Sequence, residues 1–233
     1  MITRPGGTLA TRPLHFIWIC DCSGSMAGEK INQLNFAVKE ALPAMRKEAD
    51  ENPNAQVFVR ALRFSKGAEW INSDPVPVEQ FQWVDLSAGG PTDMGRALSM
   101  VADELTIPPM TERALPPVLV LVSDGQPTDD FEKGLARLLE VPWGRKAVRL
   151  AIAIGKDADR DVLAKFIGNA EIPPFEANNA EALVRQVRWV STVVLRAASS
   201  PASQPAEEAP ASNVPIPEIP VEFVAPSGED DVW

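Results

Sequence analysis

The chain of 233 residues has no tyrosine, a single histidine (His15) and only two cysteines, Cys20 and Cys22. Each scarcity removes a class of chemistry. Two cysteines one residue apart on a strand-to-loop segment are too close for an ordinary disulfide, which fits a reducing cytoplasm. Two cysteines and one histidine are also a poor set for zinc. No apolar run approaches the roughly 18 residues a membrane span needs. Met1 to Arg12 has basic residues but no apolar core or small-residue cleavage site behind them, so no secretory signal is read there. Beyond Arg196 there is no lysine or arginine at all, yet Glu207, Glu208, Glu218, Glu222, Glu229, Asp230 and Asp231 follow. The net charge of −10 therefore resides mostly in the tail, and the body is near balance at −3 (22 basic against 25 acidic). With no basic stripe to displace counterions, nucleic acid is not an expected partner, nor is a membrane.

What the chain does have is apolar content, 45% of its residues, enough for one packed domain with an appendage. The central stretch is Phe16-Ile17-Trp18-Ile19-Cys20-Asp21-Cys22-Ser23-Gly24-Ser25. An apolar run from Leu14 to Cys20, broken only by His15, reads as a strand buried on both faces. It stops at Asp21, the carboxyl end of the strand, where open α/β sheets place their ligands. Asp21, Ser23 and Ser25 set three oxygens on one tight loop, a donor set suited to a hard cation. The same residues are also common turn and cap formers, so this loop alone leaves the metal reading open.

Further oxygens arrive at two other places. A helix is predicted from Glu29 to about Ala49, with Pro43 as a point where it kinks or ends. Strands follow at Gln56–Phe64 and Ala68–Ile71, the latter an antiparallel edge strand because Lys66-Gly67 leaves room only for a tight turn. After a Pro-flanked connection from Pro75 to Leu86, Ser87-Ala88-Gly89-Gly90-Pro91-Thr92-Asp93 forms a glycine-rich loop before a helix, Met94 to about Leu105. Thr92 there can cap the helix and also approach a ligand. The strand Val118–Val122 ends in Ser123-Asp124-Gly125-Gln126-Pro127-Thr128-Asp129-Asp130, which gives Asp124 the same place as Asp21. Asp129 and Asp130 are assigned to capping the helix Phe131–Leu139. A strand Val148–Ile154, a helix Arg160–Ile167, a short strand Ile172–Glu176 and a last helix, Ala180 to about Ala197, complete the body. Trp189 in that helix is expected to pack on the body. Strands alternating with helices predict a mainly parallel sheet with right-handed crossovers.

Together these pieces resemble the von Willebrand factor type A domain and its metal-ion-dependent adhesion site. The resemblance rests on Asp-Cys-Ser-Gly-Ser-Met after the first strand, Gly-Gly-Pro-Thr-Asp-Met-Gly-Arg-Ala-Leu at the second loop and Val-Ser-Asp-Gly-Gln-Pro-Thr-Asp-Asp at the third. It implies a three-layer, Rossmann-like α/β fold: a mostly parallel six-stranded sheet, one antiparallel edge strand and helices on both faces. It implies a Mg2+ ion (Mn2+ or Ca2+ as substitutes) held by Asp21, Ser23, Ser25, Thr92 and Asp124, with one position left for an acidic residue of a partner protein. Ser-Asp-Gly-Gln-Pro-Thr-Asp-Asp-Phe followed by Gly134-Leu135, and Arg188-Trp189-Val190-Ser191, are similar to the bacterial, tellurium-resistance-associated TerY-like group. That likeness implies a cytoplasmic stress-response or phosphosignalling system with a Ser/Thr kinase and a PP2C-type phosphatase as partners, and no enzymatic activity in the domain itself.

Other readings rank behind it. A Mg-dependent phosphohydrolase of the haloacid dehalogenase kind needs a second acid where Ser23 stands. Cys22 as a nucleophile lacks a histidine to activate it. An adaptor for a AAA+ ATPase is the third reading. The domain is expected to span 13–197, after an extension at 1–12. Residues 198–233, acidic and with seven prolines, are expected to be a disordered tail. Within it Val214–Val224 is dense in apolar residues and reads either as a spacer or as a string that lies along a partner or this domain itself. Residues expected to touch a partner are Thr92, Asp93 and Gln126 in the loops and Ile216, Phe223 and Trp233 in the tail.

Overall fold

A computed structural model describes residues 11–199 and 217–223. The elements, in order, are β1 (Arg12–Asp21), α1 (Glu29–Asp50), β2 (Ala55–Ser65), β3 (Gly67–Trp70), β4 (Val76–Pro77), α2 (Met94–Glu104), β5 (Val118–Ser123), α3 (Phe131–Glu140), α4 (Pro142–Lys146), β6 (Val148–Ile154), α5 (Arg160–Ile167), β7 (Phe175–Ala177), α6 (Ala180–Trp189) and α7 (Leu195–Ser199). The π-helical turn Val190–Val194 joins α6 to α7.

The strands form one sheet in the order β3-β2-β1-β5-β6-β7, with β4 also on β2. Every pairing among β2, β1, β5, β6 and β7 is parallel. β1, β5 and β6 are the apolar runs of the sequence, and from Phe16 to Cys20 and throughout β5 and β6 they are buried. Strands covered on both faces need no alternation of polar and apolar residues.

The antiparallel edge differs from expectation in one respect. β3 pairs with Leu62–Ser65, and a second short strand, β4, pairs with Phe58 and Val59 further back on β2. Two short segments thus share one edge. β4 lies in the Pro-flanked connection, where Pro77 can sit because an edge position leaves its missing N–H unneeded. Pro43 neither ends nor splits α1, which runs unbroken through it.

Connectivity fixes where a site can form. The chain passes from β1 through α1 to β2 on one side, then returns through α2 to β5 on the other side of β1. Right-handed crossovers put α1 and α2 on opposite faces of the sheet. α1 packs with α6 and α7, and α2 with α3. The order reverses between β1 and β5, and the carboxyl ends of strands at such a reversal leave a crevice. Asp21 ends β1 and Asp124 directly follows β5.

Candidate functional site

Three loops meet at that crevice, and hydrogen bonds tie each to the other two. In the first, Asp21 Oδ1 accepts the Ser23 N–H at 2.8 Å, and the hydroxyls of Ser23 and Ser25 lie 3.0 Å apart. Asp21 and Ser23 are buried, while Ser25 stands exposed at the rim. The glycine-rich loop is laid against this turn by two backbone bonds, Gly89 N–H to Cys22 O and Gly24 N–H to Gly90 O. Buried Asn35 of α1 steers the chain into that loop: its amide donates to Leu86 O and accepts from Leu86 N–H and the Trp83 indole.

Thr92, buried at the end of the glycine-rich loop, is joined to the third loop by a reciprocal pair. Its N–H donates to Thr128 Oγ1 and its carbonyl accepts the Thr128 N–H, each at 2.8 Å. The helix cap falls one residue later than Thr92, at Asp93, whose side chain makes no cap bond. Asp93 instead turns outward to the β2–β3 turn, accepting the Gly67 N–H at 2.6 Å. Gln126 is exposed and donates to Asp157 O. Ile216 and Trp233 lie outside the described residues.

The third loop reaches the first through Ser123. Its hydroxyl donates to Asp21 Oδ2 at 2.5 Å and accepts the Gly125 N–H at 2.8 Å. Ser123 was missing from the candidate residues, although its place, last in β5 and adjacent to Asp124, was a usable signal. Gly125 has φ +70°, and a Cβ there would come within 2.6 Å of Asp159 O, so only glycine lets α5 approach this closely. Asp129 corrects a second expectation. Its two oxygens accept the N–H groups of Gly95 and Arg96, so it caps α2, a different helix from the one it precedes. Asp130 alone caps α3, accepting from Lys133 N–H.

The electrostatics of this junction are unbalanced. Burial pushes the Asp21 carboxyl above its usual range and the charge of Asp124 adds to the rise, against the hydrogen bonds from Ser123 and Ser23. Asp124 is 2% exposed, and its Oδ1 has no hydrogen-bond partner among the described residues. Such an orphaned carboxylate oxygen is costly unless a positive group or donor meets it. Two carboxylates with the hydroxyls of Ser23, Ser25 and Thr92 on the adjoining loops are a donor chemistry suited to a hard divalent cation. Among the described residues, no three His, Cys, Asp or Glu side chains cluster. A thiol- or imidazole-based centre therefore has no basis there. Cys22 is buried and its thiol is pushed up to about 12 by burial, which leaves no reactive thiolate at neutral pH.

A Rossmann-like sheet with three polar loops at its switch point defines the class, and the sequence profile of the von Willebrand factor type A domain matches residues 17–188. The chain belongs to that family. Among curated proteins no sequence matches it. Similar solved structures include a von Willebrand factor type A protein from Catenulispora acidiphila, with a TM-score of 0.58 and 18% identity, covering 79% of this chain and 43% of that one. The ArnB paralog VWA2 from Sulfolobus acidocaldarius aligns with a TM-score of 0.55 and 21% identity, covering 75% and 44%. The pilus adhesin SpaC from Lactobacillus rhamnosus GG aligns at 0.62 with 15% identity, covering 80% and 30%. The chain thus spans less than half of each, and at these identities the likeness is one of fold. Domains of this family commonly mediate protein–protein interaction or adhesion and are generally non-enzymatic. Among the described residues no helix is long and apolar enough to cross a membrane.

Proposed function

We propose that this domain binds a divalent cation, magnesium by the hardness of its donors, and through it an acidic residue of a protein partner. The observation that carries this reading is the buried Oδ1 of Asp124, without a hydrogen-bond partner among the described residues, at the strand reversal where Asp21 is also buried. Asp21, Ser23, Ser25, Thr92 and Asp124 would hold the ion, with Mn2+ or Ca2+ as substitutes. A divalent ion there offsets the two carboxylates and still attracts a further anionic oxygen, since hydroxyls fill positions without adding charge. Ser123 and Thr128 act behind them, Ser123 orienting Asp21 and Thr128 holding the Thr92 backbone. The sequence likeness to the TerY-like group suggests the setting, a cytoplasmic bacterial stress-response assembly with a Ser/Thr kinase and a PP2C-type phosphatase.

Calorimetry of MgCl2 into the full chain, followed by pull-down of the neighbouring-gene products with and without EDTA, tests the proposal. Saturable magnesium binding that Asp21→Ala abolishes is expected, with a captured protein that the chelator releases. Absence of magnesium binding, or a partner retained equally in EDTA and by Asp21→Ala, overturns it.

A further inference from the structure

The far edge of the sheet carries a second feature, unrelated to the metal-type loops. Phe223 is buried, 4% exposed, although 23 residues of sequence separate it from the end of α7. Its ring lies 5.8 Å from that of Phe175 on β7 and 5.9 Å from that of Trp189 at the end of α6, the latter edge-on at 87°. Phe175 and Trp189 are themselves edge-to-face at 5.4 Å, so the three rings close a cluster in the geometry aromatic pairs favour. Ile219 packs against the same core, and Phe223 N–H donates to Pro220 O within a short 3-10 turn, Val221–Phe223. Val221, in that turn, is 79% exposed. This is how a linear peptide motif binds: spaced anchors, here Ile219 and Phe223, turned inward, prolines limiting the freedom to be lost, and Val221 between them in water.

The floor of the seat has its own irregularity. Trp189 is the last residue before the π turn Val190–Val194, and such turns inside helices occur often at functional positions. The tether is ample: residues 200–216 can span up to roughly 55 Å extended, whereas the ten residues from Trp189 to Ser199 rise only about 15 Å along a helix.

We propose that Phe175 and Trp189 form a peptide-docking seat at the β7 edge, whose ligand is the proline-flanked segment Pro217–Phe223 of this same chain, held in cis and exchangeable. The attachment is intramolecular, with an effective concentration in the millimolar range, so a modest intrinsic affinity keeps the seat filled. The same segment cannot serve another protein while Phe223 is seated. Any partner of the tail must therefore compete with the domain for it.

A fluorescein-labelled peptide of residues 214–224, added to the full chain and followed by anisotropy, tests this. Full-length Phe223→Ala should bind it saturably, and the wild-type chain at least tenfold more weakly, because its own segment competes. The peptide carrying Phe223→Ala should not bind, whereas Val221→Ala in the peptide should make little difference. Trp189→Ala added to full-length Phe223→Ala should remove binding. Equal binding by wild type and Phe223→Ala, or none by the folded variant, overturns the proposal. Should Phe223→Ala fail to fold, hydrogen exchange on the wild-type chain decides. Excess unlabelled peptide must then accelerate exchange across 217–223 in proportion to its concentration, and unchanged exchange at millimolar peptide overturns the seat.

Discussion

Asp21 and Asp124 present a conflict that a metal-free domain has to tolerate. Both are buried at the strand reversal, where burial and the charge of Asp124 disfavour the charged form of Asp21. A residue kept for binding commonly costs stability when the ligand is absent. Asp124→Asn removes one of the two charges at almost constant volume. In EDTA this variant is expected to be more stable than wild type by about 1 kcal/mol. In magnesium the order should reverse, because wild type gains the binding free energy and the variant does not. Thermal melts of both chains with and without magnesium check this. A variant less stable than wild type in EDTA would make Asp124 a structural residue. Ser123 belongs to the same residue-scale account: one hydroxyl serves the Asp21 carboxylate and the Gly125 N–H together.

At the scale of elements, the site depends on how closely α2 and α3 approach. A Cβ on Gly134 would lie 2.2 Å from Gly95 O, and one on Gly95 would lie 2.2 Å from Asp130 O. Both clashes are with backbone, which cannot rotate away. The two glycines therefore let the helices cross nearly in backbone contact, and the Asp129 carboxylate clips the start of α2 at the same place. Gly134→Ala is expected to destabilise the domain by roughly 2–3 kcal/mol, the upper part of the range for overpacking. Separating the helices also pulls the Thr92 loop from the Thr128 loop, so magnesium affinity should fall although Gly134 is no candidate ligand. Urea titration and calorimetry on the same variant test both effects. Destabilisation without loss of affinity would show that the loops are held independently of the helix crossing.

At the scale of the whole molecule, the acid response has an identifiable part. His15 on β1 stacks on Phe58 of β2, and burial together with the charge of Arg60 lowers its pKa to about 4. The folded value lies below the unfolded 6.5, so between pH 6.5 and 4 the unfolded chain binds more protons and acid favours unfolding. Stability from this source is complete above pH 6.5 and lost on descending through that window, by roughly 3 kcal/mol at most. Asp21 works in the opposite sense. Its raised pKa makes its contribution present in acid and lost as pH rises through the folded value. His15→Gln isolates the histidine, the only one in the chain. Its stability, measured by denaturant at pH 7 and 5, should fall less than that of wild type. Parallel pH slopes for the two chains would refute the assignment.

Much of this architecture could be read directly from residue order. β1, β5 and β6 are apolar runs too short for buried helices, and α1, α2 and α5 announce themselves by apolar spacing and start within a residue or two of their polar loops. The placing of Asp21 and Asp124 at strand ends followed from those runs alone. What the sequence could not supply are relations between distant residues. β4 is two residues held only by pairing with β2, and α4 is a single turn with proline at its start, too short to carry a period. Asp129 precedes α3 in the chain and caps α2 in space, because the helices cross at Gly95 and Gly134. Phe223 sits in a proline-rich stretch whose composition cannot sustain a core of its own. Its burial depends on a seat that Phe175 and Trp189 complete only when β7 and α6 come together. Composition and periodicity set the longer elements, since those forces act over a few residues. Which elements cap, clip or cover one another is decided by the packed whole, where partners far apart in sequence become neighbours.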